Sequence, residues 1–244
     1  MTWRYRKGYD GHAPMRIVAH MDEPIVYYGD LIHIDSAIAF GAFRDLDDRT
    51  RARMPPISAE WPVDIALPLS RWACDAANED HDRRLQIAES SELWGWCASA
   101  EDVAWSLRSV VEVRKKPDLQ RMGRYSDDKS THLSTGALKA YDLAMPSVFA
   151  HEITWWARGD VDKVRALLTR HVPAIGKKRN AGNGTVREWV VEATDVDRSV
   201  ESDRGVMRRM PVGAVVDGAR VRGAIRPPYF HASRVCSSID PVRA

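Results

Sequence analysis

Cysteine is scarce and scattered in this chain. Cys74, Cys97 and Cys236 stand alone among 244 residues, and no two form a Cys-x-x-Cys pair. Such spacing excludes a zinc knuckle and a disulfide framework, and an odd count fits a reducing compartment. Long apolar runs are missing too, since none approaches the roughly 20 residues needed to span a bilayer. The opening residues 1–11 carry Arg4, Arg6 and Lys7 without the apolar centre of a signal peptide. A cytoplasmic chain with no membrane partner is expected. Net charge is nearly absent: 36 Lys and Arg against 34 Asp and Glu leave +2. Any affinity for nucleic acid must then come from local clustering, not from a global field. The eight histidines show no His-x-x-x-His spacing, so neither a metal nor another cofactor is expected. Gly-x-Ser-x-Gly, Walker and paired-carboxylate motifs are lacking, as are repeats, coiled coil and low-complexity tracts.

What is present belongs to a globular chain. Apolar residues make up 44% and charged residues 29%, enough to bury a core. Residues 15–21 alternate and predict a strand. The spacing of Ile34, Ala37, Ile38, Gly41 and Ala42 predicts a helix, with Asp35 in its positive first turn. Residues 44–62 are charged and proline-bearing and read as loop. Short strands are expected at 63–69, 93–98 and 110–113, with an ambiguous polar stretch at 71–92. Residues 115–141 are basic and Ser/Thr-rich, and read as an extended hairpin leaving the body. A strand over 147–156 follows, then a helix over 160–171 with its start at Gly159-Asp160. Pro173 and Gly176 end that helix, and 186–193 predicts another strand. The tail beyond Asp195 holds strand-like pieces such as 212–216.

Between the second helix and the last strand lies Ile175-Gly176-Lys177-Lys178-Arg179-Asn180-Ala181-Gly182-Asn183-Gly184. Glycines admit positive φ and close approach of the backbone to a ligand. Successive N–H groups in such a turn can form an anion nest, and adjacent cations suit phosphate. The loop reads as a grip on a polyanion, with an ordinary solvated turn as the alternative. A second basic run, Arg114, Lys115, Lys116, Arg121 and Arg124, ends at Tyr125 and suits single-stranded nucleic acid; its alternative is a solvated face. His33 could donate to a phosphate, or cap or pack the first helix. The nine tryptophans include Trp94 and Trp96 on one strand face, and Trp155 beside Trp156 on opposite faces. Burial, in the core or at a subunit contact, is their favoured account, ahead of base stacking.

The glycine loop, flanked by helix and strand, resembles the C-terminal glycine-rich signature of the RAMP superfamily, the RRM-like RNA-binding subunits of CRISPR effector complexes. Ile32-His33-Ile34-Asp35-Ser36-Ala37-Ile38-Ala39 resembles a helix start in the Cas-five-like subunit of type IV systems. Arg208-Arg209-Met210-Pro211 and Arg226-Pro227-Pro228-Tyr229 are similar to arginine–proline stations in the same group's tail. The likeness runs from about Met15 to Phe230. One departure stands out: relatives often carry a bulky apolar residue between the last two glycines, where this chain has Asn183.

The resemblance implies a single α+β domain over 1–244, a ferredoxin-like (RRM-like) βαββαβ core. A thumb-like insertion at approximately 114–141 and a strand-containing tail would complete it. It implies a non-catalytic subunit that binds the 5′ handle of a guide RNA and caps a backbone filament in antiviral defence. Partners would be the guide RNA, backbone subunits and a large or small effector subunit. Gly176, Lys177, Lys178, Arg179, Asn180, Gly182, Asn183 and Gly184 would line the RNA path, with His33, Arg114, Lys115, Lys116, Arg121 and Arg124. Two alternatives stay open. One is a metal-independent endoribonuclease of the same superfamily using His20, His33 and Tyr28. The other is a protein-only scaffold without RNA contact.

Overall fold

The computed structural model describes residues 11–54, 64–74, 93–116, 140–215 and 218–241, and the backbone of 4–5. After a two-residue strand, β1 (Arg4–Tyr5), comes β2 (Ala13–Met21). Alternation along β2 sends Met15, Ile17, Ala19 and Met21 to one buried face. The strand lies at the centre of an antiparallel sheet between β8 (Glu152–Gly159) and β9 (Val186–Ala193). Residues 97–102 run along the outer side of β8 without regular strand structure. The Ser99 N–H donates to the Trp156 carbonyl, and the Arg158 N–H donates to the Cys97 carbonyl. Isolated bridges join Ala98 to Ala157 and Asp102 to Thr154.

Two helices, α1 (Ile34–Asp45) and α3 (Val161–His171), cover the inner face. A short helix, α2 (Asp48–Arg53), lies between them in sequence. The core joins Ile34 and Ile38 of α1, Val164 and Leu168 of α3, and Ile153, Trp155 and Val191 of the sheet. Asp160 caps α3, its carboxylate accepting from the Lys163 N–H at 3.1 Å. Indole groups tie helix ends to strands: Trp155 Nε1 donates to the Ile32 carbonyl and Trp189 Nε1 to that of Val172. The helices cross closely because α1 carries glycine there. A Cβ on Gly41 would lie 3.1 Å from the Leu167 carbonyl oxygen.

A second antiparallel sheet has the order β3–β7–β6, from Ile25–Val26, Tyr141–Phe149 and Leu107–Lys115. β4 (Arg71–Cys74) pairs with β5 (Leu93–Trp96). The tail adds the ribbon β10 (Glu201–Ser202) and β11 (Gly205–Val206), then β12 (Met210–Pro211) and β13 (Arg220–Ala224) on either side of β14 (Val235–Ile239). Its apolar side chains join Trp72 and Cys97 in a second core. The chain is thus α+β, with mostly antiparallel sheets and few helices. No helix among the described residues is long and apolar enough to cross a membrane.

Several expected boundaries move. The single strand over 147–156 is two, β7 and β8, parted at Ala150 and His151. There the chain passes from one sheet to the other, and alternation reports faces rather than partners. The strand expected over 63–69 is absent across its described residues 64–69, apart from a bridge between Leu69 and Gly159; Pro68 has no N–H for a ladder. The region 44–62, read as loop, contains α2, whose Asp47 cap accepts from Thr50. The strand at 110–113 extends to the whole of β6, and Arg71–Cys74 is β4. Most of the expected thumb, 117–139, lies outside the described residues with Arg121 and Arg124. β6 and β7 pair in register from Leu107–Phe149 to Lys115–Tyr141 on either side of it.

Candidate nucleic-acid interface

The glycine loop is anchored by its backbone. The Ile175 N–H donates to the Gly184 carbonyl, the Gly184 N–H to that of Pro24, and the Lys177 N–H to that of Val26. The loop therefore closes on itself and docks on β3. Gly176 and Gly184 adopt φ of 84° and 69°. A Cβ at Gly184 would lie 1.9 Å from the Ile175 carbonyl oxygen, so glycine is required there. Lys178 is left-handed at φ 57°, and a 3-10 turn over Arg179–Ala181 leads to Gly182. Asn183 is 7% exposed and donates from Nδ2 to the Lys178 carbonyl at 3.4 Å. It braces the turn from within.

Each of the three consecutive cations lies over an aromatic ring. Lys177 Nζ is 4.3 Å from the Tyr28 centroid, Lys178 Nζ 4.8 Å from Tyr141, and the Arg179 guanidinium 4.7 Å from Phe40. Tyr28 and Phe40 are 49% and 36% exposed. Lys177 also has Asp30 at 3.8 Å. Tyr141 pairs across the hairpin with Lys115, so one ring joins the loop to the basic end of β6. Arg114 projects from the other hairpin face, held by Glu112 at 2.8 Å and Asp142 at 2.9 Å. The sheet face away from the helices carries Glu152, Glu188 and Glu192 beside Arg16, Arg158 and Trp156. Its charge is mixed, whereas the loop carries three consecutive cations.

The structure places His33 elsewhere. It is 3% exposed, stacks on Tyr229 at 4.5 Å, and neither ring nitrogen has a hydrogen-bond partner among the described residues. Burial, reinforced by Arg208 and Arg209, holds its pKa well below the usual value. His33 packs, and presents nothing to a phosphate. Beneath it, Asp35 accepts from the Tyr229 hydroxyl at 2.8 Å and pairs with Arg208 at 3.4 Å, both side chains fully buried. Arg208 also donates to the carbonyls of Trp96, Ala98 and Ile225. Burial pushes the Asp35 carboxyl up while Arg208 and Tyr229 pull it back. Burial raises the Tyr229 hydroxyl, and the Asp35 charge adds to that.

Arg226 serves packing as well. It lies over Trp94 at 4.1 Å, with Arg71 over the same ring at 4.3 Å, and is 3.6 Å from Asp64. Burial and neighbouring Arg234 lower its pKa to about 10. The short stretches around His33, Arg208 and Tyr229, remote in sequence, thus converge on one buried cluster.

A family model matches residues 13–241, described as CRISPR type IV associated protein Csf3. The chain belongs to that family. The match runs from β2 to the end of β14 and includes the loop, the hairpin strands and the buried cluster. This Csf3-family chain is therefore a type IV CRISPR-associated subunit. No curated protein matches it. The residues that sequence reasoning overlooked are Phe40 and Tyr141 as ring partners of the loop, and Asp35 as the partner of Arg208. Nothing local marks them, since each acquires its role only through a distant contact.

Proposed function

We propose that this chain is a non-catalytic RNA-binding subunit that holds the 5′ handle of a guide RNA and caps the backbone filament of a cytoplasmic type IV complex. The observation that carries this reading is the built turn at Gly176–Gly184, which displays Lys177, Lys178 and Arg179 together beside the β-hairpin, where Tyr141 pairs with Lys115. Single-stranded RNA is bound by cations that track phosphates and by rings that accept bases. Lys115 and Lys116 extend the cationic surface along the hairpin. Arg114, already paired with two carboxylates, lies off the path. The strand order also supports a ferredoxin-like core of the RAMP kind: β2 lies between β8 and β9, and 97–102 flanks β8 where a second strand would run.

The endoribonuclease alternative needs its acid and base together. His33 is buried under Tyr229, while His20 lies on the sheet face away from the helices, 3.3 Å from Glu152. Tyr28 lies beneath Lys177. No hydrogen bond or ion pair joins any two of the three among the described residues. The test is co-expression with neighbouring subunits followed by ultraviolet crosslinking. Intact RNA attached through residues 176–184 or the hairpin supports the reading. A particle whose RNA never crosslinks to this chain favours the protein-only scaffold and sinks it.

A further inference from the structure

Cation–ring pairs on an exposed surface need an explanation beyond charge. A phosphate grip requires only the cations, and burial does not account for the rings, because Tyr28 and Phe40 remain 49% and 36% exposed. Tyr28 follows β3 and Phe40 lies on α1, so the two rings come from separate elements. They meet the loop only because Lys177 and Arg179 flank the left-handed Lys178, which turns successive side chains apart. In each pair the cation lies over one face of a partly exposed ring.

Resting on the RNA-binding reading above, we infer that Tyr28 and Phe40 are stacking platforms for unpaired bases. Each is capped by its own cation until a phosphate draws that cation away. Lys177 and Arg179 then act twice: they shield a ring in the free protein and neutralise the backbone in the complex. Bases stack readily on aromatic faces whatever their sequence. The rings come from separate elements and lie under different cations, Lys177 and Arg179, so each accepts its own unpaired base, which a duplex does not offer. The ligand class is single-stranded RNA with unstacked nucleotides. Asp30, 3.8 Å from Lys177, offers that cation a competing partner at one of the two platforms.

The test uses the full-length chain and a single-stranded oligoribonucleotide bearing 2-aminopurine, titrated over a range of salt. Substituting Tyr28→Leu and Phe40→Leu together keeps apolar bulk at exposed positions and removes the rings. The expected result is a loss of affinity of about 30-fold, at one stacked base per ring. The salt slope should stay unchanged and the 2-aminopurine signal should diminish. An oligonucleotide with abasic sites should lose affinity for the unsubstituted chain but not for the double variant. Unchanged affinity in a folded double variant overturns this inference alone, as does a loss accompanied by a changed salt slope. Equal binding of duplex and single strand overturns it too. If the unsubstituted chain binds no RNA but retains a protein partner, the proposed function falls with it.

Discussion

Asp35 on α1 and Arg208 in the C-terminal tail lie 173 positions apart and meet at 3.4 Å with both side chains fully buried. This pair fastens the tail to the helix that follows β2 and β3. Removing one partner leaves an uncompensated charge in the interior, which costs about 3–5 kcal/mol. Arg208→Ala is therefore expected to lower the free energy of unfolding by that amount in denaturant titration. Replacing both residues, Asp35→Leu with Arg208→Met, should recover only part of the loss: it removes the stranded charge but leaves the Tyr229 hydroxyl and the carbonyls of Trp96, Ala98 and Ile225 without these partners. A single variant as stable as the parent would show that the pair is not closed in solution.

His33 makes folding sensitive to acid. Its folded pKa is depressed by burial and by Arg208 and Arg209, and its ring stacks on Tyr229. In the unfolded chain it titrates near the ordinary value of about 6.5. Below that pH the unfolded state binds a proton that the folded state refuses, so stability present above 6.5 is lost as pH falls. The slope from this residue approaches about 1.4 kcal/mol per pH unit. His33→Phe retains the stack on Tyr229 and should flatten the profile between pH 6.5 and 5. Parallel profiles for parent and variant would rule His33 out as the acid-sensitive group.

The parts of this architecture that could be read from sequence are those set by local rules. Period-two alternation locates β2, the expected strand over 186–193 coincides with β9, and the Asp160 cap opens α3 as its side chain requires. The glycine loop is legible because positive φ and its cations are written into neighbouring residues. Partner choice is not local. The alternation breaks at His151 and Glu152, both exposed, but nothing between Phe149 and Glu152 names the sheet that the chain joins next. In the sequence His33 suits a phosphate donor or a capped or packed helix start, and Tyr229, far along the chain, decides for packing. The rings beneath Lys178 and Arg179 come from β7 and α1, at positions where an aromatic residue is equally at home in a core.

Two glycines of the loop should respond differently to a methyl group. At Gly182 (φ 85°) a Cβ meets nothing within 4 Å. Gly182→Ala therefore incurs only left-handed strain, about 1–2 kcal/mol. At Gly184 the Cβ would drive into the backbone oxygen of Ile175, which cannot rotate away. Gly184→Ala is expected to cost about 2–5 kcal/mol once this overlap is added. Denaturant titration of both variants measures the difference, and equal costs would mean that the loop does not close through the Ile175–Gly184 hydrogen bond.

Charge removal at the loop should be visible in salt dependence more clearly than in affinity at one condition. Each phosphate contact to a single strand contributes about 0.7 to the slope of log K against log salt. Replacing Lys177, Lys178 and Arg179 by Ala should flatten that slope by about 2 and weaken binding to all sequences alike. Arg114→Ala provides the contrast. Its guanidinium is already held by Glu112 and Asp142 on the other hairpin face, so its slope should match the parent's. A triple variant with the parent's slope, or an Arg114 variant with a flattened one, would move the RNA path from the glycine loop to the hairpin's far face.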